Sequence, residues 1–131
     1  MNSCAIDIVT ILEDDDSLSL VYGTDLYVAK EPSNNINCVT IFEGPGSPPM
    51  LTFKKGENYY YDAVQIRVRN SKFTAGYELA ESIRSVLHGF GQETVNGTLY
   101  SVIYCVNGPA EMGWDDNGRV IFVMNFEIQR R

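Results

Sequence analysis

The stretch VQIRVRNSKFTAGYELAESIRSVLHGF, residues 64–90, switches its hydrophobic period from two to about 3.6 within a few residues. A strand must run almost directly into a helix. Val64, Ile66 and Val68 face one way; Gln65, Arg67 and Arg69 face the other. In the helix, Leu79, Ala80, Ile83, Val86, Leu87 and Phe90 form a one-sided stripe. Thr74 is the predicted N-cap, and Gly89 or Gly91 supplies a left-handed C-terminal cap. The arginine face suits a phosphate site, a contact with another protein chain, or a solvated sheet face.

Charge weighs against the first of these. The chain has 131 residues and a formal net charge of −7. An acidic domain gains nothing from counterion release on nucleic acid unless its positive charge is clustered. Lys54, Lys55, Arg67, Arg69 and Lys72 cluster only loosely, with Glu57 and Asp62 among them. Length and a charged content of 21% fit one globular domain spanning residues 1–131. The N-terminus lacks a basic region and Asp7 interrupts its apolar run, so no signal peptide is expected. No run approaches the roughly 18 apolar residues of a membrane span. These features predict a soluble protein made in the cytoplasm, with no membrane partner.

The remaining elements follow from pattern and punctuation. A first helix is predicted over residues 3–13, capped by Ser3, with Ala5, Ile8, Val9 and Leu12 on one face. The acidic run 13–16 opposes the helix dipole and ends it. Strands are predicted over residues 25–30, 38–42, 61–69, 99–106 and 119–129. Residues 44–49, with three prolines, are excluded from regular structure. They open a long connection through residues 53–58, read as an exposed flap or hairpin and a contact candidate. Residues 108–118 are predicted irregular, closed by an Asn117-Gly118 turn. Arg130 and Arg131 read as a solvated end or a contact to a neighbour. The expected fold is α+β: about five strands, mostly antiparallel or mixed, with two helices on one face, in the order α-β-β-β-α-β-β.

Signals for catalysis are weak. His88 is the only histidine, and its position suits an interaction with the helix C-terminus. Cys4, Cys38 and Cys105 are widely spaced and read as small core residues rather than metal ligands. The Asp115-Asp116-Asn117-Gly118 run has Gly113 and Met124 where a calcium loop needs ligands. No cofactor or metal is expected. Tyr59, Tyr60 and Tyr61 precede the arginine strand, and tyrosine and arginine are enriched at protein interfaces. The residues therefore favour an interaction protein, with Arg67, Arg69, Lys54, Lys55, Tyr59, Tyr60 and Arg130 as interface candidates.

The ordered set of motifs resembles the minor capsid and tail terminator (tail completion) proteins of tailed bacteriophages. Gly23-Thr-Asp-Leu-Tyr-Val28 with Pro32, and Asn37-Cys-Val-Thr-Ile-Phe-Glu-Gly44, are similar to the family's first two strands. Val64-Gln-Ile-Arg-Val-Arg69 followed by Ala75-Gly-Tyr-Glu-Leu-Ala80 and residues 83–87 is the most specific part. Pro109, Asp116-Asn-Gly-Arg119 and residues 122–126 resemble the closing segment. Tyr-Asp-Ala63 departs from the pattern, standing where relatives carry a proline before the arginine strand.

The resemblance implies a homo-oligomeric, hexameric ring at the tail–neck junction of the virion. The ring would cap the tail tube protein, stop polymerisation and receive the head-completion or stopper protein, with no enzymatic step. DNA would pass through without specific binding, past an acidic lining for which Asp14, Asp15, Asp16, Asp115 and Asp116 are the candidates. The alternatives are another neck component such as a head–tail stopper, a small acidic enzyme using His88 with a carboxylate, or a ligand-binding domain.

Overall fold

The computed structural model describes residues 1–34, 36–54 and 58–131. Helix α1 spans Cys4–Asp14 and begins where predicted, with the Ser3 side chain accepting from the Ile6 N–H. Strands β1 (Leu26–Val28) and β2 (Cys38–Glu43) follow, paired in parallel. Strand β4 (Tyr59–Asn70) lies antiparallel to β2 and, on its other side, to β7 (Val120–Arg130). Strand β6 (Thr98–Trp114) pairs with β7 and with the short β5 (Glu93–Val95). The sheet order is β1-β2-β4-β7-β6-β5, with β3 (Ser47–Met50) attached to β4. Among the described residues this makes a mixed seven-stranded sheet in the order α-β-β-β-β-α-β-β-β, two strands more than expected.

The extra strand β3 corrects the exclusion of residues 44–49 from regular structure. Its two prolines are tolerated because it lies off the main path of the sheet, where a missing N–H costs little. Only Ser47 and Met50 are in register, opposite Tyr61 and Tyr59. β2 and β3 thus run one after the other along the same side of β4, as one leg of a long hairpin arm whose other leg is β4; residues 44–46 join them. A Cβ at Gly46 would stand 2.5 Å from the Tyr61 carbonyl oxygen, and its φ of +62 suits glycine.

A second correction concerns residues 108–118. The strand predicted to end at Val106 continues to Trp114 through register shifts at several points along β6. Bulges bend the strand without ending it, so an irregular sequence still pairs with β7. Gly108 sits at φ +98, with Val123 O 2.5 Å from where a Cβ would be.

Helix α2 (Phe73–Leu87) starts before Thr74. Its N-cap is Lys72, which makes no side-chain cap bond. The Lys72 N–H is instead taken by the Asn70 side chain at 2.9 Å. Gly76, Ala80, Ile83 and Leu87 are its buried face. Phe73 and Tyr77 stand edge-on to the Phe122 ring, at 5.3 and 5.9 Å between centroids. At the other end Gly89 adopts the expected left-handed conformation, with φ +86.

One apolar cluster joins Ile8 and Leu12 of α1, Ile83 and Leu87 of α2, and the inward residues Val64, Ile66, Val68, Phe122, Met124 and Phe126. Both helices therefore cover the same sheet face, as expected. The opposite face carries a row of amides. Gln65 donates to Asn125 at 3.3 Å, and Asn125 donates to Asn107 at 2.7 Å. Beside them the Tyr104 hydroxyl donates to Glu127.

Candidate functional site

The arginine strand has its first partners within the chain. Arg67 Nη1 lies 3.3 Å from Glu31 Oε2, and Arg69 Nη1 lies 3.7 Å from Glu31 Oε1. Arg69 also donates to the Ile36 carbonyl at 3.2 Å and the Asn34 carbonyl at 3.1 Å. Two successive outward positions on β4 thus hold the connection from β1 to β2 against the sheet. Arg69 is buried and fully engaged, whereas Arg67 keeps 31% of its side chain exposed. Within the chain, Glu31 thus supplies a carboxylate to both arginines.

Arg130 requires a correction: it is no solvated end. It is 6% exposed and lies inside a polar cluster. Its Nε donates to Asp62 at 2.7 Å, and its Nη1 donates to the Asn2 carbonyl at 2.9 Å and the Tyr100 hydroxyl at 3.2 Å. The same Nη1 lies 3.5 Å from the fully buried Asp7 carboxylate. Tyr100 donates to Asp7, and Asn96 adds a bond to it at 2.8 Å. Burial opposes the charge on Arg130, but the Asp62 hydrogen bond together with the neighbouring Cys4 and Tyr100 groups outweighs it and raises the arginine pKa. Burial and the bond to Asp7 push the Tyr100 phenol up. Burial also pushes the Cys4 thiol up. The cluster ties α1 to the ends of β4, β6 and β7. It was detectable in principle: Asp7 lies among apolar residues of α1, and a charge facing a core needs a buried partner.

Around the hairpin arm, Tyr59 and Tyr60 are half-buried at the start of β4. Arg131 lies over the Tyr59 ring at 5.5 Å and donates to its hydroxyl at 3.4 Å. At the end of β3 and just past it, Met50, Leu51 and Phe53 are exposed, Phe53 completely. Lys54 is exposed beside them; Lys55 lies outside the described residues. Farther along the sheet, Tyr104, Val106, Met112 and Trp114 of β6 form a second run of exposed apolar side chains.

The acidic candidates sit in turns. Asp15 caps its own turn by accepting from the Ser17 N–H at 3.0 Å, between the exposed Asp14 and Asp16. Asp115 accepts from the Asn117 and Arg119 N–H groups at 3.0 and 2.8 Å and so closes the β6–β7 turn. Asp116 beside it is exposed. That turn lies at the opposite end of the sheet from the hairpin arm, since Val120 pairs with Asn70 and Arg130 with Tyr60.

His88 Nδ1 accepts from the Cys105 N–H at 3.0 Å. It fastens the end of α2 to β6, and its hydrogen-bond partner is main chain rather than a carboxylate. The hollow lined by Tyr61 and Tyr104 is an open surface recess of about 290 Å³. No helix among the described residues is long and apolar enough to cross a membrane.

A sheet covered on one face by two helices, with charged groups spent on internal ties and apolar residues left exposed at both ends, describes a chain shaped for contacts with other proteins. The family model described as "Bacteriophage tail terminator protein" matches residues 15–131, and the chain belongs to that family. It is a structural, virion-associated component of a phage tail rather than an enzyme. A solved structure described as the virion of a native gene transfer agent particle contains a chain of similar fold. The TM-score is 0.67 at 14% identity, covering 98% of this chain and 94% of that one. No curated protein matches.

Proposed function

We propose that copies of this chain form a hexameric ring on the head-proximal end of the tail tube. The ring ends addition of tube subunits and presents the surface on which the head-completion or stopper protein docks. The family match over residues 15–131 carries this reading. The exposed apolar residues at the hairpin arm and along β6 support it, because they need protein partners to leave water. In this ring Arg67, Lys54, Lys55, Tyr59 and Tyr60 lie at or near contacts between chains, while Arg69 and Arg130 act from within the subunit.

DNA passes through the ring without specific binding. The net charge of −7 makes a lumen lined by Asp14, Asp15, Asp16, Asp115 and Asp116 repel phosphates rather than hold them. Inactivating the gene tests the reading: tails should grow beyond their normal length and fail to join heads. Tails of normal length that join heads without this protein would overturn it.

A further inference from the structure

The most exposed large apolar side chain among the described residues, Phe53, stands next to Lys54 beyond β3. Elsewhere on the molecule lies a groove of about 430 Å³ between α1, β5 and the segment after α2. Ile11, Phe90 and Val95 give this groove apolar walls, and Asp14 and Glu93 stand exposed at its rim. The two features are complementary in both respects. One is a convex aromatic followed by a cation; the other is a concave apolar surface bordered by two carboxylates.

They cannot satisfy one another within one subunit. β3 is attached to β4, and β4 is separated from β5 by β7 and β6. From β3 across β4, β7 and β6 to β5 is four strand spacings, about 19 Å. A contact between two different patches is heterologous, and repeated from copy to copy it generates a ring when the rotation closes.

We infer that the hairpin arm of one subunit docks Phe53 into the Ile11–Phe90–Val95 groove of the next, with Lys54 placed against Glu93 at its rim. The inference rests on the ring proposed above and names the contact that builds it. An aromatic side chain is suited to this because it buries about 150–250 Å² in a single anchor. The charged rim sets orientation and partner choice. The occupant is a second copy of this chain, because an otherwise acidic chain carries on its own arm the lysine that the groove's rim attracts.

The test uses assembled tails. A photo-crosslinking analogue, p-benzoylphenylalanine, replaces Phe53, and adducts are mapped by mass spectrometry while the same tails are imaged. Subunit–subunit adducts at residues 10–14 or 90–96 are expected. If a ring is imaged but the adducts map to the tube protein or to another surface, the docking inference falls while the ring reading stands. If no ring is imaged, both fall. Charge reversal provides a second readout. Lys54→Glu and Glu93→Lys should each lower ring occupancy about tenfold, equivalent to about 1.4 kcal/mol, and the two together should restore it. Additive losses in the double variant would overturn the pairing. Thermal melts of the isolated variants separate a loss in folding from a loss in assembly.

Discussion

Arg130 and Asp62 meet at 2.7 Å inside the protein, and the same guanidinium reaches the buried Asp7 carboxylate at 3.5 Å. This pair joins the last residue of β7 to β4 and, through Asp7, to α1. Buried charges of this kind are costly to separate, because the remaining partner is left uncompensated.

Arg130→Met should therefore destabilise the protein by roughly 3–5 kcal/mol, read from equilibrium denaturation. Arg131→Ala, which loses only an exposed contact with Tyr59, should change stability by about 0.5 kcal/mol or less. Equal effects at the two positions would show that the cluster contributes nothing particular.

Stability should fall at alkaline pH. Tyr100 and Cys4 hold their protons more tightly in the folded chain than in the unfolded one. Their contribution is complete below the unfolded pKa values, about 8.5 for a thiol and 10 for a phenol. It is lost as pH rises above them, with a slope of up to about 1.4 kcal/mol per pH unit for each group. Denaturant midpoints measured from pH 7 to 11 check this, and Cys4→Ala should delay the onset. A flat profile across that range would contradict the assignment.

The two outward arginines of β4 should separate experimentally. Arg69→Ala removes charge-assisted bonds to the Asn34 and Ile36 carbonyls and should cost about 2–3 kcal/mol. Arg67→Ala removes one half-exposed ion pair and should cost about 1 kcal/mol or less. On the proposed ring, Arg67→Ala should impair tail capping more than its small stability effect explains. Full capping by Arg67→Ala would remove that residue from the interface.

Gly108→Ala should destabilise by roughly 1–3 kcal/mol, since its backbone lies in the left-handed region. The added Cβ would also stand 2.5 Å from the Val123 carbonyl oxygen, between β6 and β7. A melting temperature equal to the parent's would show that the bulge relaxes freely.

Period and punctuation made α1, β2, β4 and α2 readable, because each has an apolar face directed at one core. The same signals failed where pairing overrides local preference. Pro48 and Pro49 lie in a strand because β4 supplies the partner, and Gly108 and Gly113 lie in a strand because bulges absorb them. Charged residues were harder still. Arg67 and Arg69 showed their face but not their partner, since Glu31 is brought to them only by folding. Arg130 looked terminal and solvated, yet Asp7 lies 123 positions away in sequence.

Imaging of tails assembled with a labelled copy of this protein tests the central claim most directly. Six copies should be found in a ring at the head-proximal end of each tail and nowhere along the tube. Label spread along the tube, confined to the distal tip, or absent from finished tails would contradict it.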